Sequence, residues 1–279
     1  MKKTEFVSET VPGDPVEAYV NPDFMGSPDA RPLRILAEYL YPQKQFAKHR
    51  IDDTILFFGS ARIPAPDDAE AGLEKARAAG ADTKAAERAV FMSRYYGATR
   101  ELARRLTEWS LNLDDCQERR FVICTGAGPG IMEAANRGAR DAGGETIGLG
   151  ITLPKEEANN PYVTPDLNFE FHYFFTRKFW FLYPAKALVL MPGGFGTLDE
   201  LFETLTLLQT RKMKKRLPVV LFGSEYWDKV LNLQALADFG AINQEDIDLI
   251  YRTDSVEDAF TYIVDQLCRY ALPNPGKGM

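Results

Sequence analysis

The stretch MPGGFGTLDE, residues 191–200, constrains this chain more than any other, because it packs three glycines between two segments of opposite periodicity. Before it, KALVLM (186–191) is a short, continuous apolar run of the kind that forms an interior parallel strand. After it, Leu198, Leu201, Phe202, Leu205 and Leu208 fall at helical spacing. Gly193, Gly194 and Gly196 therefore sit on a strand-to-helix turn. There a backbone without side chains can approach a ligand, and the free N–H groups and positive dipole end of the helix suit a phosphate. Glu200 lies just beyond, and a carboxylate touching that anion would repel it. It must face away from the phosphate or serve another part of the same ligand. The competing reading takes Thr197 to Glu200 as a capping box, in which Thr197 caps the helix and Glu200 reaches back to it. A cap needs one turn residue and this turn has three, which favours the ligand. No Gly-Lys-Ser or Gly-Lys-Thr follows, so this is not a Walker loop.

The same strand, glycine, helix pattern recurs. TILFFG (54–59) leads into Ser60, and RFVICTGAGPGIMEAANRGARDAG (120–143) carries Gly126, Gly128 and Gly130, with Pro129 at a favourable first-turn position. These glycines resemble a dinucleotide fingerprint, but the third falls one place early and Ile131 occupies its position, which argues against NAD. ETIGLGI (145–151) is a further strand leading to the polar loop LPKE (153–156), and LPVVLFG (217–223) is the last clear strand. Helical composition fills 67–109, broken near Gly80 and Asp82, and returns near 227–238 and 256–270. The alternation predicts an α/β, Rossmann-like, doubly wound and mainly parallel sheet flanked by helices. Ligands of such sheets lie beyond the carboxyl ends of the strands, where Gly59, Ser60, Gly126, Gly128, Glu156 and Gly193 would converge. Residues 1–50 are proline-rich and read as a peripheral, extended arm around one short helix, PLRILAEYL (32–40). The expected organisation is an N-terminal extension over 1–50 and a nucleotide-binding catalytic domain over 51–279.

A net charge of -7 argues against broad attraction to nucleic acid or an anionic membrane, and favours a small-molecule partner. Cys116, Cys124 and Cys268 lack metal-ligand spacing, and no apolar run is long enough for a membrane helix, so a reduced, cytoplasmic setting is expected. With only His49 and His172, a histidine metal site or triad has little material. The chemistry expected here runs on carboxylate and arginine, with no metal or cofactor. Residues 169–183 are dense in aromatics at helical spacing, a packing signal, and Arg177 and Lys178 are the exceptions. They lie early in a helix, where the dipole disfavours cations, so either their heads extend to solvent or an anion compensates them.

With PGGFGTLDE, the Arg177-Lys178 pair and TGAGPGIMEAANRGA (125–139) in view, the chain resembles the LOG (Lonely guy) family. These are cytokinin riboside 5′-monophosphate phosphoribohydrolases, formerly labelled lysine decarboxylase-like. The family motif PGGxGTxxE is matched in full by Pro192, Gly193, Gly194, Gly196, Thr197 and Glu200, and the resemblance covers roughly 54–223. It implies that Arg177 and Glu200 are catalytic. It further implies nucleotide contacts from Glu156, Lys178, the turn Gly193, Gly194, Phe195, Gly196, Thr197, Leu198 and Asp199, and Thr206. The implied reaction is hydrolysis of the N-glycosidic bond of a cytokinin nucleoside 5′-monophosphate to free base and ribose 5-phosphate, by a homo-oligomer. Two alternatives are a nucleosidase acting broadly on AMP and other nucleotide 5′-monophosphates, and a non-catalytic carrier of a nucleotide or pterin. The chain departs from the family pattern at FHYFFT (171–176), where only His172 stands near the usual His and Met, and at Ala127, where many relatives have glycine. Its longer arm and 67–109 segment resemble the longer bacterial type. Nothing resembles a pyridoxal-lysine site, so the decarboxylase label finds no support.

Overall fold

The computed structural model describes residues 15–113, 118–153 and 159–274. Two helices, α1 (Pro22–Gly26) and α2 (Arg31–Lys48), precede strand β1 (Thr54–Phe58). There follow α3 (Pro66–Ala78), α4 (Lys84–Leu111), β2 (Val122–Thr125), α5 (Ile131–Asp141), β3 (Thr146–Ile151), β4 (Asn168–Phe171) and α6 (Phe174–Leu182). The chain continues through β5 (Ala185–Leu190), α7 (Phe195–Gln209), β6 (Val219–Phe222), α8 (Ser224–Val230), α9 (Leu233–Asp238), β7 (Ile250–Thr253) and α10 (Val256–Gln266), which ends in a π turn, Leu267–Ala271. The strands form one sheet in the order β4-β3-β2-β1-β5-β6-β7, and every pairing is parallel. The fold is thus the expected α/β, Rossmann-like one. The strand order reverses between β1 and β5, which opens the ligand crevice of such sheets there.

Alternation along the strands builds two cores. Ile55, Phe57, Ile123, Ala187 and Val189 face Leu102 and Leu106 of α4, Ile131 of α5 and Ile263 of α10. Leu56, Phe58, Cys124, Leu188 and Leu190 face Trp180 and Phe181 of α6, Leu201 of α7 and Phe46 of α2. Each such side chain contributes about 1.5–3 kcal/mol by leaving water. All five residues of β1 are buried whereas only Phe169 and Phe171 of β4 are, so the centre of the sheet is held far more firmly than this edge.

Four expectations change. The aromatic run is not helical throughout: Asn168–Phe171 alternates exposed and buried as edge strand β4, and the helix starts only at Phe174. A further strand, β7, follows the one read as last. It is short, and only Thr253 within it is buried. Pro129 lies outside α5, whose N-cap is Gly130. The arm is also more helical and less peripheral than its prolines suggest. Helix α2 runs for 18 residues through a buried Pro42, and Phe46 is only 5% exposed, packed edge-on to Phe169 and Trp180. Among the described residues no helix is long and apolar enough to cross a membrane.

Candidate functional site

The three glycine turns meet at the carboxyl ends of β1, β2 and β5, held by backbone hydrogen bonds. Ser60 N donates to Pro192 O (2.9 Å), Ile131 N to Ser60 O (3.1 Å) and Met191 N to Phe58 O (2.8 Å). Gly59, Ser60, Gly126, Gly128 and Gly193 therefore do converge, while Glu156 lies outside the described residues.

The glycines differ in what surrounds them. A Cβ on Gly59 would strike the Ile131 side chain, one on Gly128 would meet Met132 Cε at 2.6 Å, and the space over Gly193 is filled by Thr197. Gly194 and Gly196 face open space. Gly194 is the N-cap of α7 and offers no side-chain bond, and the helix's own ladder begins with Leu198 N donating to Gly194 O (3.0 Å). The amides of residues 195–197 are thus the donors a helix start leaves over. Phe195, 92% exposed, projects between the two open glycines. Tyr226, which sequence reasoning missed, donates from its hydroxyl to Gly193 O (2.7 Å) and so holds the turn from β6's side.

This geometry rules out the capping box. Thr197 is the third helical residue and not the cap, and Glu200 does not reach back to it. Glu200 is instead 2% exposed, and its Oε1 has no hydrogen-bond partner among the described residues. Burial pushes its pKa up to about 8, helped by the nearby charges of Glu203 and Asp199 and opposed by Lys178 and Arg177. Lys178 reaches across from α6 into three carboxylates of α7: Asp199 at 2.7 Å, Glu203 in a still closer ion pair, and Glu200 at 3.9 Å. Its own pKa is raised: burial opposes the charge, but hydrogen bonds to Asp199 and Glu203 outweigh that. The compensating anions for this early-helix cation are therefore the protein's own. The Arg177 guanidinium stacks 5.2 Å from the Phe174 ring centre and 5.3 Å from that of Phe181, and its charge reaches Glu200.

Leu198 and the exposed Asp199 lie on the first turns of α7 with the site. Thr206 does not join them. It lies ten residues beyond Gly196, roughly 15 Å along the helix axis, and donates to Phe202 O (2.7 Å).

Ala127 has φ +65, a conformation that favours glycine. Two contacts hold it there: Thr125 Oγ1 accepts from Ala127 N (3.0 Å), and Asn160 Nδ2 donates to the carbonyls of Ala127 (2.9 Å) and Gly128 (3.0 Å).

A family model described as "Possible lysine decarboxylase" matches residues 132–263. The matched segment includes the complete PGGxGTxxE motif that carries the LOG resemblance. Over this segment the chain is similar to the LOG family. Among curated relatives, the pyrimidine/purine nucleotide 5′-monophosphate nucleosidase of Escherichia coli K12 is 33% identical over 119 residues, a match covering 38% of this chain and 25% of that protein. The protein of the same name from Escherichia coli O157:H7 matches at the same identity and coverage. Among solved structures, the molybdenum cofactor carrier protein of Chlamydomonas reinhardtii aligns with a TM-score of 0.47 at 17% identity, over 78% of this chain and 99% of that one. The molybdenum cofactor binding protein of Rippkaea orientalis aligns with a TM-score of 0.46 at 18% identity, over 77% and 95%.

Proposed function

We propose that this protein, like the LOG family it resembles, hydrolyses the N-glycosidic bond of nucleoside 5′-monophosphates, releasing free base and ribose 5-phosphate. One observation carries the reading: a buried carboxyl group, Glu200, with an unused oxygen and a pKa near 8, stands on the helix whose start offers open glycines and free amides. The amides of residues 195–197 take the 5′-phosphate, and Glu200 faces the sugar. As the bond breaks, positive charge grows at the anomeric carbon, which an ionised Glu200 stabilises while it draws the proton from the attacking water. Arg177 supplies positive charge toward the phosphate and the departing base, and Lys178 holds Glu200 and its acidic neighbours in place. A base with a pKa near 8 is strong, yet still ionised in about a tenth of molecules at neutral pH. We therefore expect kcat/KM on AMP to climb with pH and level off near 8. A profile that falls through 8 would make Glu200 the proton donor instead.

The name of the Escherichia coli relatives supports a substrate range of pyrimidine and purine nucleotides, and the family motif supports a prenylated, cytokinin-type adenosine monophosphate. Chromatography of products from AMP and from isopentenyl-AMP ranks the two by turnover. Nucleotide recovered bound and intact from both would replace hydrolysis with a carrier role. On the same reading the protein works in the cytoplasm as a homo-oligomer, with residues 1–50 as an extension of a catalytic domain over 51–279. The reduced-thiol composition and the motif order support those assignments.

A further inference from the structure

Helix α6 carries both Arg177 and Lys178, yet it is only nine residues long and its N-cap, Tyr173, makes no side-chain capping bond of its own. The cap comes from the N-terminal arm. Glu38, in the middle of α2, accepts from His172 N through Oε1 (2.8 Å) and from Tyr173 N through Oε2 (3.3 Å), and Oε2 also accepts from the Thr176 hydroxyl. These contacts bridge 134 to 138 residues of sequence. The last of them adjoins Arg177. At the opposite end, Lys215 Nζ donates to Leu182 O (2.5 Å) and Tyr183 O (2.7 Å). A carboxylate at the start is the charge that a helix dipole favours there, and the Lys215 donor satisfies carbonyls that the helix end leaves over. The face of α6 turned to the arm is held by Tyr39, whose ring centre lies 5.3 Å from that of Phe179, and by Phe46, 5.3 Å from Trp180. Lys178, in turn, reaches α7. So short a helix has little stability of its own, and its direction is set by what grips its ends and its face.

We propose that Glu38 is a positioning residue for the reaction: from the N-terminal arm it fixes the start of α6, and so the reach of Arg177 and Lys178 toward Glu200. This rests on the hydrolase reading given above. The arm is thereby part of the working site even though Glu38 itself does not touch substrate. Since a displacement of about 1 Å is enough for a hundredfold loss of rate, a loosened α6 acts on turnover more than on binding, because on that reading the amides of α7 still hold the phosphate while Arg177 loses its aim.

The test compares wild type with Glu38→Ala, Glu38→Gln and Thr176→Val in the full chain. Each is measured for kcat and KM on AMP and for hydrogen exchange of the amides in 172–178. We expect Glu38→Ala to lose about 10- to 100-fold in kcat with KM within threefold. Glu38→Gln keeps one acceptor oxygen and should recover part of the loss, while Thr176→Val, which removes one bond of three, should show the mildest defect. The 172–178 amides should exchange at least tenfold faster in Glu38→Ala with those of β5 unchanged. A kcat within twofold of wild type, or exchange that accelerates evenly across the sheet, overturns the proposal and leaves an ordinary helix cap. If wild type releases no base, the hydrolase reading is what has failed. Exchange confined to 172–178 then still supports Glu38 as the fastener of α6, and unchanged exchange there overturns it. Should Glu38→Ala not fold, Thr176→Val and Glu38→Gln carry the same two readouts.

Discussion

The turn after β2 and the turn after β5 look alike in sequence, yet they are built for different ends. In the first, the chain fills its own glycine spaces. Gly130 has φ +68, and a Cβ there would lie 2.5 Å from Ser60 O; Met132 covers Gly128, and Asn160 clamps Ala127 in a strained conformation. In the second, Gly194 and Gly196 are open, no side chain caps the helix, and a buried carboxyl oxygen goes unmatched. Glycine in the first turn lets two parts of the protein touch. In the second it leaves room for something that is not protein. A turn closed on itself adds to stability, whereas one left open gives up stability for binding.

The sharpest way to break this contrast is Glu200→Gln. It should lower kcat by about 10²- to 10⁴-fold while nucleotide still binds, as measured by single-turnover kinetics and calorimetry. Near-normal turnover would place the base elsewhere. The same variant tests the strain stored at the site. The Glu200 pKa is raised from 4.5 to about 8 on folding, so the folded state holds the extra proton between those values. The stability that this proton lends is complete below pH 4.5 and is lost as pH rises through 8. Glu200→Gln, neutral throughout, should therefore match wild type in urea unfolding at acidic pH. At pH 9 it should exceed wild type by a few kcal/mol. Next comes Gly130→Ala, expected to cost about 3 kcal/mol in the same unfolding assay, from left-handed strain plus the clash with Ser60. Gly194→Ala should leave unfolding within about 1 kcal/mol of wild type but weaken AMP binding about tenfold. If Gly194→Ala proved as destabilising as Gly130→Ala, the two turns would be equivalent and the ligand assignment of the second would fall.

Much of this was legible beforehand. The central strands could be read from KALVLM and TILFFG because strands buried on both faces are apolar at every position, and the three turns followed from their glycines. The edge strands were not: Asn168–Phe171 hides in an aromatic run whose spacing also fits a helix, and Ile250–Thr253 is short and mostly half-buried. At the site, Glu200 and Arg177 stood out by motif. Lys178 was visible as a residue but not by its partners, since nothing local says that it reaches Asp199 and Glu203. Tyr226 and Glu38 carried no signal, because each acts on backbone atoms far away in sequence.

The sequence by itself determined the alternation of strand and helix, the placing of a glycine turn at three strand ends, and the carboxylate and guanidinium available for chemistry. Those depend on hydrophobic period and on backbone freedom, which are properties of a few adjacent residues. Only the tertiary structure decided which glycines stay open, that Glu200 keeps a proton near neutral pH, and that the arm caps α6. Space, desolvation and hydrogen-bond partners are set by what the rest of the chain brings to a point, and no local pattern encodes them.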